Sequence, residues 1–195
     1  MKTAIFAATT ATVLGLATAT AALAEPVAYT LDDSHSQVVF SYDHLGFSTT
    51  TGMFGGFGGE IMFDAADPAA SSVNVTIPVM SMFTGWEQRT AHFMSDDFFG
   101  ASEGDMVTFT STGIEVTGDD TAMITGDLTM NGVTKSVVLD AVMNGMGEHP
   151  MAGKPWMGFD ATTTLLRSDY GLGAFAPAIG DEVALMISIE AAAVE

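Results

Sequence analysis

An Asn-Gly pair marks the most constraining stretch of this chain, because it lies between two runs in which apolar and polar residues alternate. Asn131 and Gly132 both tolerate a positive φ, as the two central positions of a type I′ hairpin turn require. One face of the two runs is apolar and comprises Ala122, Ile124, Leu128, Met130, Val137, Leu139, Ala141 and Met143. A slip of one residue would turn this whole face toward water, so the pattern predicts an antiparallel hairpin of fixed register.

The same two-residue alternation recurs along most of the chain and predicts antiparallel strands with one apolar face. The predicted strands cover residues 29–33, 36–44, 50–64, 71–80, 106–117, 121–130, 133–144, 156–167 and 182–193. Only Trp86 to Met94 has the pattern of a helix, and a second helical turn is expected near Asp96 to Phe99. About eight meandering strands favour an all-β barrel, because closure removes exposed sheet edges, and two packed sheets are the competing architecture.

The N-terminal 24 residues have the composition of a secretory signal peptide. Lys2 is the only charge there, an apolar run follows, and Ala22-Leu23-Ala24 supplies the small residues of a cleavage site. We expect export, cleavage after Ala24 and one domain over residues 25–195, with a membrane-spanning segment over 4–24 as the alternative. The chain has no cysteine, which excludes disulfides and a lipoprotein anchor.

Acidic residues dominate the charge of the chain, with 24 Asp and Glu against 5 Lys and Arg. Lys2 would leave with the signal peptide, so the exported protein would be more acidic still. This charge opposes nucleic acids and anionic headgroups as partners. The outward face of the strands is rich in Asp, Thr and Ser, whereas an outer-membrane barrel needs an apolar outer face. We therefore expect no nucleic acid partner and no stable membrane insertion.

The inward face is unusually rich in methionine and phenylalanine, with 14 Met and 13 Phe in the chain. Thioether side chains adapt to whatever fills the space beside them. An eight-stranded barrel is just wide enough to be filled by its own side chains or to hold one small ligand. Composition alone leaves a ligand cavity and a filled core equally open.

Motifs for metal binding or catalysis are missing from the sequence. Asp32, Asp33 and His35 lie close together, but Asp-Ser-His-Ser at a strand start is more simply a turn. The chain contains no His-Glu-x-x-His run and no Gly-x-Ser-x-Gly elbow. We predict no metal ligands, no catalytic residues and no cofactor.

Five sequence blocks, read together and in order, resemble the YceI family of exported lipid-binding proteins. They span nearly the whole chain after the signal peptide: His35–Phe40 with His44–Ser48 and Gly52–Phe54, Glu87–Phe93 with Asp96–Phe99, Gly126–Thr129 with Gly132–Lys135, Leu166–Gly171, and Ile179–Val183. The resemblance implies a lipocalin-like antiparallel barrel whose apolar pore takes a long polyisoprenoid or quinone-like lipid. It also implies a periplasmic location.

On this resemblance we predict a non-catalytic carrier that sequesters or transports an isoprenoid-type lipid. The expected ligand-binding residues are Phe40, Tyr42, His44, Phe47, Phe54, Phe57, Arg89, His92, Phe93, Phe98, Phe99, Met130 and Arg167. An enzyme acting on a lipid or quinone inside the barrel and a stress protein with a filled core are the alternatives. A homodimer is left open.

Two arginines in the family-like blocks have two competing roles. Arg89 and His92 are three residues apart on the predicted helix and so project from the same side. Arg89 and Arg167 either hold the polar head of the ligand by charge-assisted hydrogen bonds or form ion pairs with Asp or Glu.

Overall fold

The computed structural model describes residues 25–194, so the predicted signal peptide lies outside the described residues. Their secondary structure is mostly antiparallel strand, with one α-helix and three single 3₁₀ turns at Pro68–Ala70, Val79–Ser81 and Arg167–Tyr170. The elements are β1 (Val27–Leu31), β2 (Gln37–His44), β3 (Ser48–Phe54), β4 (Gly58–Phe63), β5 (Ser72–Pro78), α1 (Glu87–Met94), β6 (Met106–Val116), β7 (Thr121–Met130), β8 (Val133–Glu148), β9 (Pro155–Leu166) and β10 (Glu182–Ala193).

Eight of the strands close into a barrel in the order β1, β4, β5, β6, β7, β8, β9 and β10, and β10 pairs back to β1. The eight-stranded all-β barrel predicted from the sequence is therefore confirmed. The last strand is shared, because its first half pairs with β2 and its second half with β1. The β2–β3 hairpin thus extends the wall at one end of the barrel only.

The hairpin at Asn131-Gly132 forms as predicted. Asn131 has a φ of 52° and Gly132 a φ of 72°, the left-handed values of a type I′ turn. Met130 pairs with Val133 across the turn, and the register continues without a shift to Ala122 and Ala141. The turn therefore determines which residues of β7 and β8 face the interior.

Two predicted boundaries were wrong by more than two residues. The single strand predicted over 50–64 is two strands, since the chain turns at Gly55–Phe57, where Gly56 has a φ of 67°. The β3 half pairs with β2, whereas the β4 half pairs with β1 and β5. The strand predicted to end at 144 continues to Glu148, because a bulge at Asn144 shifts the register while pairing with β9 persists.

Buried side chains form two separate clusters rather than one filled core. One lies where β1, β4, β9 and β10 meet and includes Tyr29, Ile61, Met157 and Ala191. The other contains Leu165, Tyr170 and Leu172, packed against Phe98 and Phe99 after α1. Within residues 25–194, no helix has the length and apolar character needed to cross a membrane.

Candidate ligand-binding cavity

A cavity of about 1040 Å³ lies inside the barrel, and residues of both clusters contribute to its lining. Small-molecule sites in proteins range over about 300–1,000 Å³, so this volume lies at the upper end. Its wall is formed mainly by inward apolar residues of the strands, among them Val73, Val75, Ile77, Ile124, Leu128, Leu139, Phe159, Leu185, Ile187 and Ile189. The lining extends from one end of the barrel to the other, so the interior is a tunnel and not a closed void.

Three alanines lie side by side across the middle strands and account for part of this space. Ala141 pairs with Ala122 on β7 and with Ala161 on β9, and all three line the cavity. A methyl group leaves room that a leucine or phenylalanine would fill. We call Ala122, Ala141 and Ala161 the alanine row. It leaves space in the wall at this level of the barrel.

The end of the barrel that carries α1 has a rim of mostly aromatic side chains, which we call the helix rim. It comprises His44, Leu45, Trp86, Arg89, His92, Phe93, Phe98 and Phe175, all of which line the cavity. The ring centroid of Phe93 lies 6.2 Å from that of Tyr42 on β2 and 5.1 Å from that of Phe98. One ring contact, between Phe93 and Tyr42, therefore joins the helix to the β2 wall.

The opposite end has the other charge sign. The turn between β6 and β7 brings Gly118, Asp119 and Asp120 to the cavity mouth, next to Ala65 and Pro68. We call these five residues the acidic rim. Cationic and imidazole groups line the helix rim and carboxylates line the acidic rim, so the tunnel has an electrostatic direction along its axis.

Arg89 is half-buried in the helix rim and keeps most of its hydrogen-bonding capacity. Its Nη1 donates to the carbonyl oxygen of Thr84 at 3.2 Å, and its Cζ lies 5.7 Å from the ring centroid of Trp86. No carboxylate among residues 25–194 forms an ion pair with it. The ion pair considered for Arg89 is therefore not formed, and its guanidinium remains able to bind an anionic or carbonyl group in the mouth.

Arg167 has a different environment, although it too touches the cavity. Its side chain is buried, and it donates to backbone carbonyl oxygens of the segment that follows: Gly180 at 2.8 Å, Ala174 at 2.8 Å, Ile179 at 2.9 Å, and Leu172. These four bonds use most of the five N–H groups of a guanidinium. The structure thus makes Arg167 a clamp for the 172–180 segment, where the sequence had suggested an ion pair or a head-group contact.

His92 is also engaged within the protein. Its Nε2 lies 3.0 Å from Asp97 Oδ2, and its ring packs edge-on against Phe98 at 5.2 Å between centroids. Phe175 closes the other side at 6.2 Å. Of the polar residues predicted for the head group, Arg89 is therefore the one with the most free donors.

All of the predicted ligand-binding residues line the cavity except Phe47. Phe47 is the last residue of the turn between β2 and β3, and its side chain is 89% exposed because it points into solvent beyond the rim. Contact of the others with a ligand stays a prediction. Residues missed from the sequence include the alanine row, Leu45, Trp86 and Phe175. The row had a usable signal, because the Asn131-Gly132 turn alone places Ala122 opposite Ala141.

A separate polar cluster lies on the outer wall. Asp32, His35 and Glu190 bring their ligand-type atoms within 4.8 Å of one another. The predicted turn is present there, since Asp32 Oδ1 accepts hydrogen bonds from the backbone N–H and the hydroxyl of Ser34. The indole N–H of Trp156 donates to Glu190 Oε2 at 2.7 Å. These contacts connect the β1–β2 turn to β10 and β9.

Comparison with known proteins places this barrel in a family. The model of the YceI-like domain matches residues 29–191, which is most of the chain. The chain belongs to the YceI-like family. A UPF0312 protein of Ectopseudomonas mendocina is 41% identical over 169 residues, covering 87% of this chain and 88% of the relative. Protein YceI of Escherichia coli is 41% identical over 159 residues, covering 82% of each.

A solved YceI-like fold supports the architecture. The structure described as a polyisoprenoid binding domain from Saccharophagus degradans matches with a TM-score of 0.67 at 17% identity, covering 86% of this chain and 99% of that one. At this identity the match establishes the shared fold only. Together with the family model, the match confirms the recognition made from the five sequence blocks.

Proposed function

We propose that this protein is a periplasmic, non-catalytic carrier that holds one isoprenoid-type lipid in the barrel. The observation that carries the proposal is the apolar tunnel of about 1040 Å³ that reaches both rims. A YceI-like neighbour of the same fold is described as a polyisoprenoid binding domain, which supports this ligand class. Sequestration or transport both require such a tunnel.

Burial of the hydrocarbon tail supplies the affinity. Each CH₂ removed from water contributes roughly 0.8 kcal/mol, so a tail of several C5 units needs no elaborate polar site. The wall beside it consists of aliphatic, phenylalanine and methionine side chains, which do not discriminate strongly among apolar chains. The proposed carrier therefore selects its ligand mainly by length and by head group.

The head group is proposed to lie at the helix rim. Arg89 offers free donors there, whereas Asp119 and Asp120 at the other mouth repel phosphate and leave carbonyl groups without donors. A quinone carbonyl, an alcohol oxygen or a phosphate can each accept from Arg89, and a phosphate would be bound most strongly because both partners are charged. In this orientation the tail points along the alanine row toward the acidic rim.

The two alternatives are weaker on the same evidence. A stress protein with a filled core does not account for an open tunnel. An enzyme would need titratable groups near the reacting part of the ligand, and those that line the cavity within residues 25–194 lie at its ends: Tyr42, His44, Arg89, His92, Asp119, Asp120, Asp160 and Arg167. The middle of the wall is apolar, which favours holding a lipid over converting it.

The test is lipid extraction from gently purified protein followed by mass spectrometry. Ala141→Leu narrows the tunnel at the alanine row, and Ala184→Leu adds the same volume at an exposed position on β10. We expect a long-chain lipid with the wild type and with Ala184→Leu, and a shorter or no lipid with Ala141→Leu. Repeated absence of any apolar ligand from well-folded wild type would refute the proposal.

Location and assembly complete the proposal. Export and cleavage after Ala24 rest on the composition of residues 1–24. The intact mass of protein recovered from the periplasmic fraction tests both. A homodimer stays a prediction.

A further inference from the structure

Large apolar side chains on the helix rim are exposed to solvent although an apolar tunnel lies beside them. Leu45 is 48% exposed, Trp86 57% and Phe175 59%, and each of them also lines the cavity. Phe47, two residues after Leu45, is 89% exposed and contributes only to the outer surface. The same side chains are thus the last part of the tunnel wall and the first part of the protein surface.

The loops that present these side chains are held in place. Leu45 has a φ of 62° and Phe175 a φ of 64°, values that bulky residues adopt at a cost of roughly 1–3 kcal/mol. The two loops are joined, because the backbone N–H of Gly180 donates to the Asp43 carbonyl at 2.9 Å and His44 bridges to Ile179. The four carbonyl bonds of Arg167 fasten the second loop. The exposure of Leu45 and Phe175 is therefore built into the backbone.

We propose that Leu45, Phe47 and Phe175, the docking lip, insert into the surface of a neutral, zwitterionic bilayer, and that the lipid enters and leaves the tunnel there. This inference rests on the proposed function, because a nearly insoluble ligand has to be exchanged with a membrane. The lip lies at the mouth through which that ligand would pass. Aromatic and aliphatic side chains on loop tips suit the interfacial region of a bilayer.

The charges select the kind of bilayer and the end of the barrel. The chain carries a formal net charge of −19, which opposes anionic headgroups. The acidic rim places Asp119 and Asp120 at its mouth, so it would repel the phosphate of any phospholipid. The helix rim instead offers Arg89, which has no ion pair among the described residues. A zwitterionic surface that meets the helix rim fits both observations.

The experiment measures co-sedimentation of the mature protein with phosphatidylcholine vesicles. Phe47→Ser removes the lip residue that does not line the cavity, and Met151→Ser removes a side chain of 90% exposure on the β8–β9 loop. We expect wild type and Met151→Ser to bind equally and Phe47→Ser to bind roughly tenfold more weakly, as loss of about 1.4 kcal/mol of apolar burial implies. Adding anionic lipid to the vesicles should weaken binding of the wild type.

A second readout separates docking from the tunnel itself. Loading of lipid-free protein with a detergent-solubilised isoprenoid alcohol does not require a bilayer, so Phe47→Ser should load like the wild type. Wild-type protein that loads but does not bind vesicles would overturn the docking lip and leave the carrier standing. Vesicle binding without loading would refute the carrier instead. Equal weakening by Phe47→Ser and Met151→Ser, binding only to anionic vesicles, or capture of a protein partner without vesicle binding would each overturn the docking proposal.

Discussion

The ring of Phe40 lies directly over Gly52 on the neighbouring strand. The two residues are register partners between β2 and β3, and a Cβ atom at Gly52 would come within 2.3 Å of the ring. Phe40 is buried and lines the cavity, so the missing side chain of Gly52 gives the ring its position in the wall. An aromatic ring that covers a glycine across a pair of strands protects backbone that would otherwise be bare.

Gly52→Ala should therefore destabilise the barrel and move Phe40. Overpacking of this kind costs about 1–3 kcal/mol, which denaturant unfolding measures. Gly147→Ala is the matched control, because a Cβ at this strand glycine meets nothing within 4 Å. We expect the control to be neutral or slightly stabilising. Equal effects of the two substitutions would mean that the Phe40–Gly52 contact does not constrain the wall.

Arg167→Gln should lower the free energy of unfolding by about 2–4 kcal/mol, because several carbonyl groups of the 172–180 segment lose a charged donor. Arg89→Gln should cost much less, since Arg89 donates one hydrogen bond at the edge of the mouth. For lipid affinity the order should reverse, with Arg89→Gln affecting the polar-headed ligand directly. Parallel unfolding and ligand titrations compare the two variants. Similar stability losses in both would contradict the clamp role of Arg167.

The His35–Asp32 contact predicts a pH dependence of stability. The Nδ1 atom of His35 lies 2.6 Å from Asp32 Oδ2. This hydrogen bond, together with the charges of Asp32 and Glu190, raises the pKa of His35 above its ordinary value of 6.5. A raised folded-state pKa contributes stability that is fully present below the unfolded value and is lost as the pH rises through the folded value. The difference in Tm between wild type and His35→Gln should thus be largest below pH 6.5 and shrink as the pH rises through the folded-state pKa of His35.

Asp32→Asn serves as the partner control for that series. It removes the charge that holds the imidazolium, so His35→Gln in the Asp32→Asn background should show little dependence on pH. His35 is exposed, and the effect is expected to be small even at its largest. A pH dependence that survives in the Asp32→Asn background would assign it to another group.

The outer edge of β3 predicts where a homodimer would form. The outward N–H and C=O groups of Met53 form hydrogen bonds with the backbone of Phe83. Because the strand repeats every two residues, the backbone N–H and C=O groups of Thr51 and Thr49 point in the same outward direction. In residues 25–194 these two threonines have no partner on that side, and the edge carries no charge to protect it. Thr49→Pro removes one outward N–H and should abolish any dimer seen by analytical ultracentrifugation. Thr162→Lys is the control, because β9 is paired on both sides, and it should leave assembly unchanged.

Much of the wall could be predicted from the sequence because turn chemistry and alternation act locally. The Asn131-Gly132 pair determined the β7–β8 register, and the register determined which residues line the cavity. The break at Gly55–Phe57 was not predicted, because the glycines at 55, 56, 58 and 59 are compatible with a bulge inside one strand or a turn between two, and the strand partners that decide are far away in sequence. The clamp by Arg167 had no sequence signal either, since backbone carbonyl oxygens are present at every residue.

The exposure of Phe47 illustrates a second limit. Its aromatic character and its position in a family-like block indicated a ligand contact, but a residue at a hairpin turn is not bound to the inward and outward faces of the strands. The left-handed backbone of Leu45 and Gly46 directs the chain away from the mouth, so Phe47 projects beyond the wall. Loop geometry of this kind follows from tertiary contacts, here those of Asp43 and His44 with Gly180 and Ile179.

Under the proposed function, the alanine row is the place where the length of the ligand is expected to be limited. Its three methyl groups face the cavity, whereas the pairing of β7, β8 and β9 uses backbone groups. The turn at Asn131-Gly132 and the hydrogen bonds of Arg167 stabilise other parts of the barrel. The width of the cavity is therefore open to change by single substitutions, since Ala→Val adds two carbon atoms at one position and Ala→Leu adds three. Larger residues at the row should therefore give a series of variants with the same strand order that accept progressively shorter hydrocarbon chains.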